Sequence, residues 1–498
     1  MRRFGTRYPG AMGRLRDFAA RHPTLRRRAV KTVRWGLGLL GGRPSPPAQP
    51  TPAAAGASAP PPAPKLSMLT LQATEPAQAG GNIKPLPAGH GKRVLSVGHV
   101  MPWPPRAGNE YRIHQMITQL ANEGRDVLLV VCPLPHELPS PRHVAEAAAI
   151  YPQLLVCGHD GVVRHNLPVG SPLLHKLEGL PVRDFASILG EMPEPESRSA
   201  QLLGLVRTFC PDPLIELMLS LESSFKPQVL LAEYVFMARP FSLMQKDLPK
   251  IIDTIDVFST KAGKVERYGV TDGLAMTEAE ESELAGRADV LIAIQPAEAT
   301  DLARLAPARK VITVGVDFLV RATAPAPEHA PVVLLVASSN PMNVKGLHDF
   351  LRFSWPFVRR QVPDAELRVV GDVGAAIDVV PQGVRILGRV ENLDQAYADA
   401  SVVINPTVAG TGLKIKTVEA LCHLRPIVTF PAGIDGVGDA ASAFCSVATD
   451  WFSFAQHVSR LLAERPDPAV LTERGKSLAA HFSPAIVYAP LTKVLDDI

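Results

Sequence analysis

The residues best suited to chemistry lie in one short segment, where two glycines precede two lysines and a glutamate (Gly410, Gly412, Lys414, Lys416 and Glu419). Glycine lets backbone amides approach a ligand closely because it has no Cβ. The segment reads as the start of a helix, whose first turn presents unpaired N–H groups and a positive dipole end. Lysines are unfavourable there unless an anion compensates them. The spacing therefore predicts a phosphate-like anion, and a bound diphosphate would satisfy it.

Glu419 permits two interpretations. It lies three residues after Lys416, so the pair can form an i,i+3 ion pair on the helix surface. Alternatively, its carboxylate can accept two hydrogen bonds from vicinal hydroxyls, as on a ribose. The residues alone leave both interpretations open.

The elements that must position these residues are short apolar strands alternating with amphipathic helices. The strands predicted first are RVLSVGHV, DVLLVVCP, PQVLLAEY, PKIIDTID, ADVLIAIQ and RKVITVGVD. After a break at 321–331 they are PVVLLVAS, AELRVVGD, VRILGRV, ASVVINP and RPIVTFP, with helices predicted over 346–361 and 414–423 among others. This alternation is typical of parallel sheets covered on both faces. We therefore expect an α/β protein with two doubly wound, Rossmann-like domains and a ligand cleft at the carboxyl ends of the strands.

At 498 residues the chain is too long for one hydrophobic core. The predicted parts are a basic amphipathic segment at 1–43, a Pro/Ala-rich linker at 44–90, a first domain at 91–320, a second domain at 331–482 and a C-terminal helix at 483–498. For that last helix, a return to the first domain is one option.

The positive charge of the chain is concentrated in residues 1–43, which hold 12 Lys or Arg and one acidic residue. The remaining residues hold 40 basic and 47 acidic side chains. Apolar residues near helical spacing between the arginines favour an amphipathic helix on an anionic membrane surface, with a solvated tail as the alternative and no nucleic-acid partner expected. Five cysteines without a CxxC pair, and no apolar run of about 20 residues, suit a cytoplasmic protein on the inner face of the plasma membrane.

The segment G-x-G-x-x-x-K-x-x-E-A-L followed by PIV resembles the donor-site pattern of family-4-like glycosyltransferases with the GT-B fold (glycosyl transferases group 1), which use nucleotide-sugar donors. Further stretches resemble that family in order and spacing: PWPPRAGNEYRIHQM, DTIDVFS, EAEESELAGRADVLIAIQPAEA, VITVGVD, PVVLLVASSNPMNVKGLHDFL, PDAELRVVGD, VRILGRVENL, YADASVVINP and PAGIDGV. The resemblance covers roughly residues 92–465.

The resemblance implies a set of donor-binding residues: Gly108, Ser339, Asn340, Lys345, Arg389, Val390, Gly410, Thr411, Gly412, Lys414, Lys416, Glu419 and Asp435. Lys416 would hold the diphosphate and stabilise it as leaving group, aided by Lys414 and the amides around Gly412. Glu419 would bind the ribose, and the backbone near Arg389 would meet the nucleobase. No metal ion or cofactor is expected besides the nucleotide-sugar co-substrate.

Two departures from the family pattern bear on catalysis. Thr411 stands where many relatives have a glutamate, and Ile255 where they often have a histidine. Both positions would lie near the donor sugar, so the donor sugar and the general base stay open. His99 and His114 are candidates for a catalytic role, although structural histidines are commoner.

The resemblance implies a retaining, metal-independent hexosyltransferase of polysaccharide biosynthesis, acting on a glycan or lipid-linked acceptor. A catalytically inactive GT-B scaffold in a membrane-associated polysaccharide complex is the alternative. A nucleotide-sugar epimerase on the same fold is a third, weaker alternative.

Overall fold

The computed structural model describes residues 69–77, 84–179, 198–270, 274, 276–321, 331–410, 412–464 and 467–498. They belong to one compact unit that spans Lys65–Ile498. The predicted basic segment at 1–43 lies outside the described residues. Among the described residues, no helix is long and apolar enough to cross a bilayer.

The first sheet is built from the short apolar runs of the N-terminal half. Its strands in the described part are β1 (Thr70–Ala73), β2 (Arg93–Gly98), β3 (Asp126–Val131), β4 (Leu154–Cys157), β5 (Val162–His165), β6 (Val229–Glu233), β7 (Lys250–Asp253), β8 (Val290–Ala293) and β9 (Lys310–Thr313). They lie in the order β1-β5-β4-β3-β2-β6-β7-β8-β9, and every neighbouring pair is parallel except β4 with β5.

Helices cover both faces of this sheet and bury their apolar sides against it. They are α1 (Gly108–Asn122), α2 (Pro141–Ala148), α3 (Pro172–Glu178), α4 (Arg198–Phe209), α5 (Asp212–Ser224), α6 (Phe258–Glu266), α7 (Glu278–Ala285) and α8 (Pro296–Leu305). The continuous burial of β3, β6 and β8 explains why these strands read as apolar runs rather than as alternating patterns.

The second sheet is wholly parallel. Its strands are β10 (Val332–Val336), β11 (Glu366–Val370), β12 (Val384–Gly388), β13 (Val402–Asn405), β14 (Ile427–Thr429) and β15 (Cys445–Val447), in the order β12-β11-β10-β13-β14-β15. The helices around it are α9 (Pro341–Phe353), α10 (Trp355–Gln361), α11 (Leu393–Asp399), α12 (Ile415–Cys422), α13 (Asp439–Ser442), α14 (Trp451–Ala463) and α15 (Pro468–His481). The prediction of two doubly wound α/β domains is confirmed.

Each sheet reverses its strand order at one point, and this places the cleft. In the first sheet β2 lies between β3 and β6, and in the second β10 lies between β11 and β13. Loops that leave adjacent strands in opposite directions open a crevice at the carboxyl edge of such a sheet. The two crevices contribute lining residues to one shared cleft.

Three local expectations differ from the structure. The predicted linker at 44–90 contains β1, a mostly exposed four-residue edge strand that has no apolar pattern in the sequence. The helix predicted over 346–361 is divided at Ser354, since Pro356 lacks the N–H that a continuing helix needs. Between residues 135 and 213, where no strand is predicted above, the structure has β4 and β5, which are only four residues long.

The chain ends in two further helices, α16 (Pro484–Val487) and α17 (Ala489–Asp497), which return to the first domain. Leu491, Val494 and Leu495 of α17 are buried in the core cluster of that domain. The Lys92 ammonium donates to the carbonyl of Leu495 at 2.5 Å. These contacts place α17 on the first domain.

Candidate functional site

The cleft has a volume of about 860 Å³ and is lined from both domains. Three loops contribute to its lining: the turn before α1, the loop between β10 and α9, and the glycine turn between β13 and α12. All three follow the carboxyl ends of strands next to the reversal points. The segment singled out in the sequence therefore lies at the cleft.

Helix α12 is held in place by side chains behind the glycine turn. Asn405, the last residue of β13, donates from Nδ2 to Oγ1 of Thr417 at 3.0 Å. The same Thr417 hydroxyl donates to the carbonyl of Gly433 at 2.6 Å. These buried hydrogen bonds fix the first turn of α12 on the sheet, so the side chains of that turn have a set direction.

Lys416 lies in the first turn of α12 and lines the cleft. Burial, with Lys414 nearby, lowers the pKa of Lys416 to about 8, against the attraction of Glu419. Among the described residues its ammonium has no hydrogen bond or ion pair. A partly buried cation without a partner is unfavourable, and an anion in the cleft would compensate it.

Lys414 differs from the expectation that it lies inside the first turn. The helix begins at Ile415, and Lys414 is the residue before it. Its ammonium donates to the carbonyl of Gly412 at 2.9 Å, so the side chain folds back over the glycine turn. Burial lowers the pKa of Lys414, while Asp435, Asp256 and Glu298 oppose that shift.

Gly412 requires its glycine, because its φ of 73° lies in the left-handed region. Its amide donates to Oε1 of Glu298, a residue of α8 in the first domain, at 2.6 Å. The expectation that this amide binds the ligand is therefore wrong in this arrangement, since a carboxylate already accepts from it. Gly410 also lines the cleft, with φ 148°, and Thr411 lies outside the described residues.

Glu419 lines the cleft and is held by a residue that the sequence did not single out. The hydroxyl of Tyr397, on α11, donates to Oε2 of Glu419 at 2.9 Å. Tyr397 is fully buried and stacks on His423 with ring centroids 4.2 Å apart. Burial raises the pKa of Glu419. The described residues contain no ion pair of Glu419 with Lys416 within 4.0 Å, so the ion-pair interpretation fails.

The other predicted residues of the second domain divide into two groups. Asn340 lines the cleft and caps α9 by accepting from the amide of Met342 at 2.9 Å. Ser339, Lys345 and Asp435 do not line it. Lys345 instead pairs with Asp349, one helical turn away, at 2.8 Å. In this arrangement the i,i+4 partner holds the ammonium of Lys345, and the placement of Lys345 at the phosphates stays a prediction.

At the far end of the second domain, Arg389 and Val390 line the cleft as expected. The guanidinium of Arg389 forms a two-pronged ion pair with Asp372, with Nε 2.8 Å from Oδ1. Hydrogen bonding to Arg389 holds the pKa of Asp372 below its usual value. The guanidinium of Arg389 is thus occupied by Asp372, which leaves the backbone at 389–390 for a ligand.

On the first-domain side, Gly108 begins α1 and faces α12. A Cβ at Gly108 would lie 2.9 Å from Cδ1 of Ile415, so only glycine allows this approach without a shift. Next to it, Nδ2 of Asn109 donates to the hydroxyl of Tyr234 at 3.1 Å. These residues bring the first domain against the start of the helix that carries Lys416.

Neither predicted histidine lines the cleft. His99 packs against the rings of Phe209 and Tyr234, and burial lowers the pKa of His99 to about 4. His114 contacts the hydroxyl of Tyr151 through Nδ1 at 2.9 Å, and burial also lowers the pKa of His114 to about 4. Both rings pack against aromatic side chains outside the lining of the cleft, and a catalytic role for either histidine stays a prediction.

Asp253 and Asp256, on either side of Ile255, are each held in an ion pair. Both carboxylate oxygens of Asp253 accept from Arg112 at 2.7 Å, and Asp256 pairs with Lys261 at 3.1 Å. The described residues contain no group of three or more His, Cys, Asp or Glu that could hold a metal ion. Ile255 lines the cleft with φ 60°, which is strained for a β-branched residue.

The second domain is similar to known proteins in sequence. The family model described as glycosyl transferases group 1 matches residues 330–464. An uncharacterized 44.6 kDa protein in the cps region of Klebsiella pneumoniae is 26% identical over 129 residues, which are 24% of this chain and 33% of that protein. The matched part thus spans about a third of the length of that curated relative.

Solved structures resemble nearly the whole described chain. Sucrose-phosphate synthase from Thermosynechococcus elongatus has a TM-score of 0.55 at 16% identity and covers 82% of this chain and 99% of its own. Anabaena Alr3699/HepE, solved in complex with UDP, has a TM-score of 0.54 at 14% identity and covers 82% and 100%. The fold described here is therefore GT-B, and the part of the chain that matches the glycosyl transferases group 1 model is the domain that carries Lys416 and Glu419.

Proposed function

We propose that the protein transfers a sugar from a nucleoside-diphosphate donor to a glycan or lipid-linked acceptor, with retention of configuration and without a metal ion. The observation that carries this proposal is the partly buried ammonium of Lys416, which lines the cleft without a partner among the described residues. Its position in the first turn of α12 adds the helix dipole to the same positive field.

The transfer reaction needs this positive field when the donor bond breaks. When the bond between the anomeric carbon and the diphosphate breaks, the electron pair stays on the phosphate oxygen and negative charge develops there. Fixed cations in a site shielded from water stabilise such charge without reorganising. Lys416 supplies the unpaired charge, and Lys414, two residues earlier in the chain, adds a second one.

The remaining contacts agree with a nucleotide in the same cleft. Glu419 has one oxygen held by Tyr397, which leaves Oε1 for the ribose hydroxyls. Arg389 and Val390 line the cleft, and their backbone would meet the base. Anabaena HepE, which has a similar fold, binds UDP in its solved complex.

The acceptor and the location are inferred from weaker observations. The relative in the cps region of Klebsiella pneumoniae supports a role in polysaccharide biosynthesis. The basic residues 1–43 would lie on the anionic inner face of the plasma membrane and hold the enzyme near lipid-linked acceptors.

The test is nucleotide binding and donor hydrolysis by the full chain. Thermal shift and calorimetry are carried out with UDP, GDP, ADP and TDP and then with the matching sugar nucleotides. A ligand at about 100 times its Kd stabilises the folded state by about 2.7 kcal/mol. We expect one nucleotide to bind, Lys416→Ala to lose binding and hydrolysis, and the exposed Lys476→Ala to retain both.

Two outcomes would overturn the proposal. If Lys416→Ala bound and hydrolysed the donor like the wild type, Lys416 would not be the diphosphate site. If the wild type bound no nucleotide, the inactive scaffold would replace the transferase.

A further inference from the structure

Glu298 connects the two domains at the glycine turn. It lies in α8 of the first domain and is fully buried. Its Oε1 accepts from the amide of Gly412 at 2.6 Å and from Nε2 of Gln295 at 3.3 Å. Its Oε2 is buried and has no hydrogen-bond partner among the described residues. A half-satisfied buried carboxyl is costly, so a fold that keeps one is expected to use it.

The peptide groups of Gly412 are held on both sides. Glu298 accepts from its N–H, and the Lys414 ammonium donates to its carbonyl at 2.9 Å. The turn that precedes Lys416 is therefore fixed by one charge from each domain. Gly412 cannot hold this conformation through its own backbone preferences, because glycine samples both signs of φ freely.

A second glycine shows how tightly the start of α8 fits the second domain. A Cβ at Gly436 would lie 2.6 Å from Oε1 of Gln295 and 2.9 Å from its Cβ. Gly412 also touches the first domain, since Oδ1 of Asp256 lies 3.4 Å from its Cβ position, in van der Waals contact. The carboxyl of Glu298 thus lies where the two domains are already in contact.

We propose that Glu298 is a positioning residue that holds the glycine turn from across the cleft, so that Lys414 and Lys416 face the donor diphosphate, and that it takes up a proton when the diphosphate binds. This inference rests on the proposed function. It adds a carboxyl of the first domain to a donor site whose other assigned charged residues, Lys414, Lys416 and Glu419, come from the second.

The electrostatics support proton uptake. Burial and the nearby Asp256 raise the pKa of Glu298 to about 7, against the Gly412 amide, Gln295 and Lys414. The carboxyl is therefore about half ionised at pH 7. Negative charge arriving at the cleft favours its neutral form, and the amide of Gly412 keeps an acceptor in either form. The charged groups around Glu298 and Lys414 are Asp256, Lys261, Lys264, Lys414 and Asp435.

The first experiment requires no ligand. Hydrogen exchange of the Gly412 amide is measured in the full chain for the wild type, Glu298→Ala, Glu298→Gln and Asp301→Asn, which removes a charge from the same helix. We expect exchange to accelerate about tenfold or more in Glu298→Ala, because the acceptor is lost. Glu298→Gln retains an amide oxygen and stays protected, as does Asp301→Asn. Equal exchange in the wild type and Glu298→Ala would overturn the inference.

The second experiment measures protons. UDP, or whichever of GDP, ADP and TDP binds more tightly, is titrated at pH 7 in buffers of different ionisation enthalpy. We expect the wild type to take up as much as about half a proton more than Glu298→Gln, and Asp301→Asn to match the wild type. The affinity of Glu298→Gln should stay within about threefold of the wild type, and that of Glu298→Ala should fall about tenfold.

The outcomes separate the two proposals. Proton uptake that is the same in Glu298→Gln and the wild type would overturn the role of Glu298 while leaving nucleotide binding intact. Failure of the wild type to bind any nucleotide would overturn the proposed function, and the exchange of the Gly412 amide would still decide whether Glu298 holds the turn.

Discussion

The hydroxyl of Tyr397 points at the carboxylate of Glu419, with 2.9 Å between the two oxygens. The tyrosine ring is fixed by stacking on His423, so the carboxylate is fixed in turn. One oxygen of Glu419 is thereby occupied and the other, Oε1, has no partner among the described residues. The hydrogen bond from Tyr397 thus decides which carboxylate oxygen of Glu419 a ligand can reach.

Replacing Tyr397 by Phe tests that arrangement. The ring and its stacking remain, but Glu419 loses a donor and becomes free to rotate. We expect the Kd for the donor nucleotide to rise about tenfold and the free energy of unfolding to fall by about 1 kcal/mol. Calorimetry and denaturant unfolding measure the two effects. A Kd equal to that of the wild type would show that Glu419 needs no support from Tyr397.

The depressed pKa of Lys416, about 8, predicts how donor binding depends on pH. The ammonium is charged below this value and neutral above it, so the affinity for a diphosphate is present at pH 7 and is lost as the pH rises. We expect the Kd to increase about tenfold between pH 7 and pH 9. Lys416→Arg stays charged and should flatten this dependence, even if its overall affinity is lower. The same slope in both proteins would contradict the assignment.

Asp253 predicts the response to metal removal. Both its oxygens are engaged by the buried guanidinium of Arg112, so it is unsuited to hold a cation. We expect transfer to continue in EDTA. Asp253→Ala should lower the free energy of unfolding by about 3–5 kcal/mol, because it leaves Arg112 charged and buried. Rescue of that variant by added Mg²⁺ would instead identify a metal site.

The close approach of Gly108 to Ile415 can be tested by a matched pair of changes. Gly108→Ala places a Cβ 2.9 Å from Cδ1 of Ile415 and should push the domains apart, lowering kcat/KM about tenfold. Ile415→Val removes that methyl group, so the double variant should recover most of the loss. Ile415→Val alone serves as the control. Additive losses in the double variant would show that the contact does not matter for transfer.

The sequence predicted the parts of the site that are local in the chain. The turn, the lysines and Glu419 fall within ten residues, so their spacing carries the signal. Tyr397 and Glu298 come from other elements, and only the folded sheets bring them to the turn. Tyr397 lies in the quoted stretch YADASVVINP, but nothing in its neighbours indicates a partner 22 residues away.

The differences between the expected and the observed surroundings of residues have a common physical cause. Lys345 and the histidines were assigned by position in the chain, whereas their roles are set by what surrounds them. Lys345 has an acidic partner on its own helix, and His99 and His114 are enclosed by aromatic rings. Similarly, β1 is short and mostly exposed, so it becomes a strand only because β5 is available to pair with it.

The return of α17 to the first domain has a consequence for synthesis on the ribosome. Leu491, Val494 and Leu495 belong to the core of the domain whose other residues are translated first. While the second domain is being made, the nascent first domain must wait with that apolar surface uncovered, where chaperones or aggregation can reach it. Residues that are translated after the whole second domain therefore complete the core of the first.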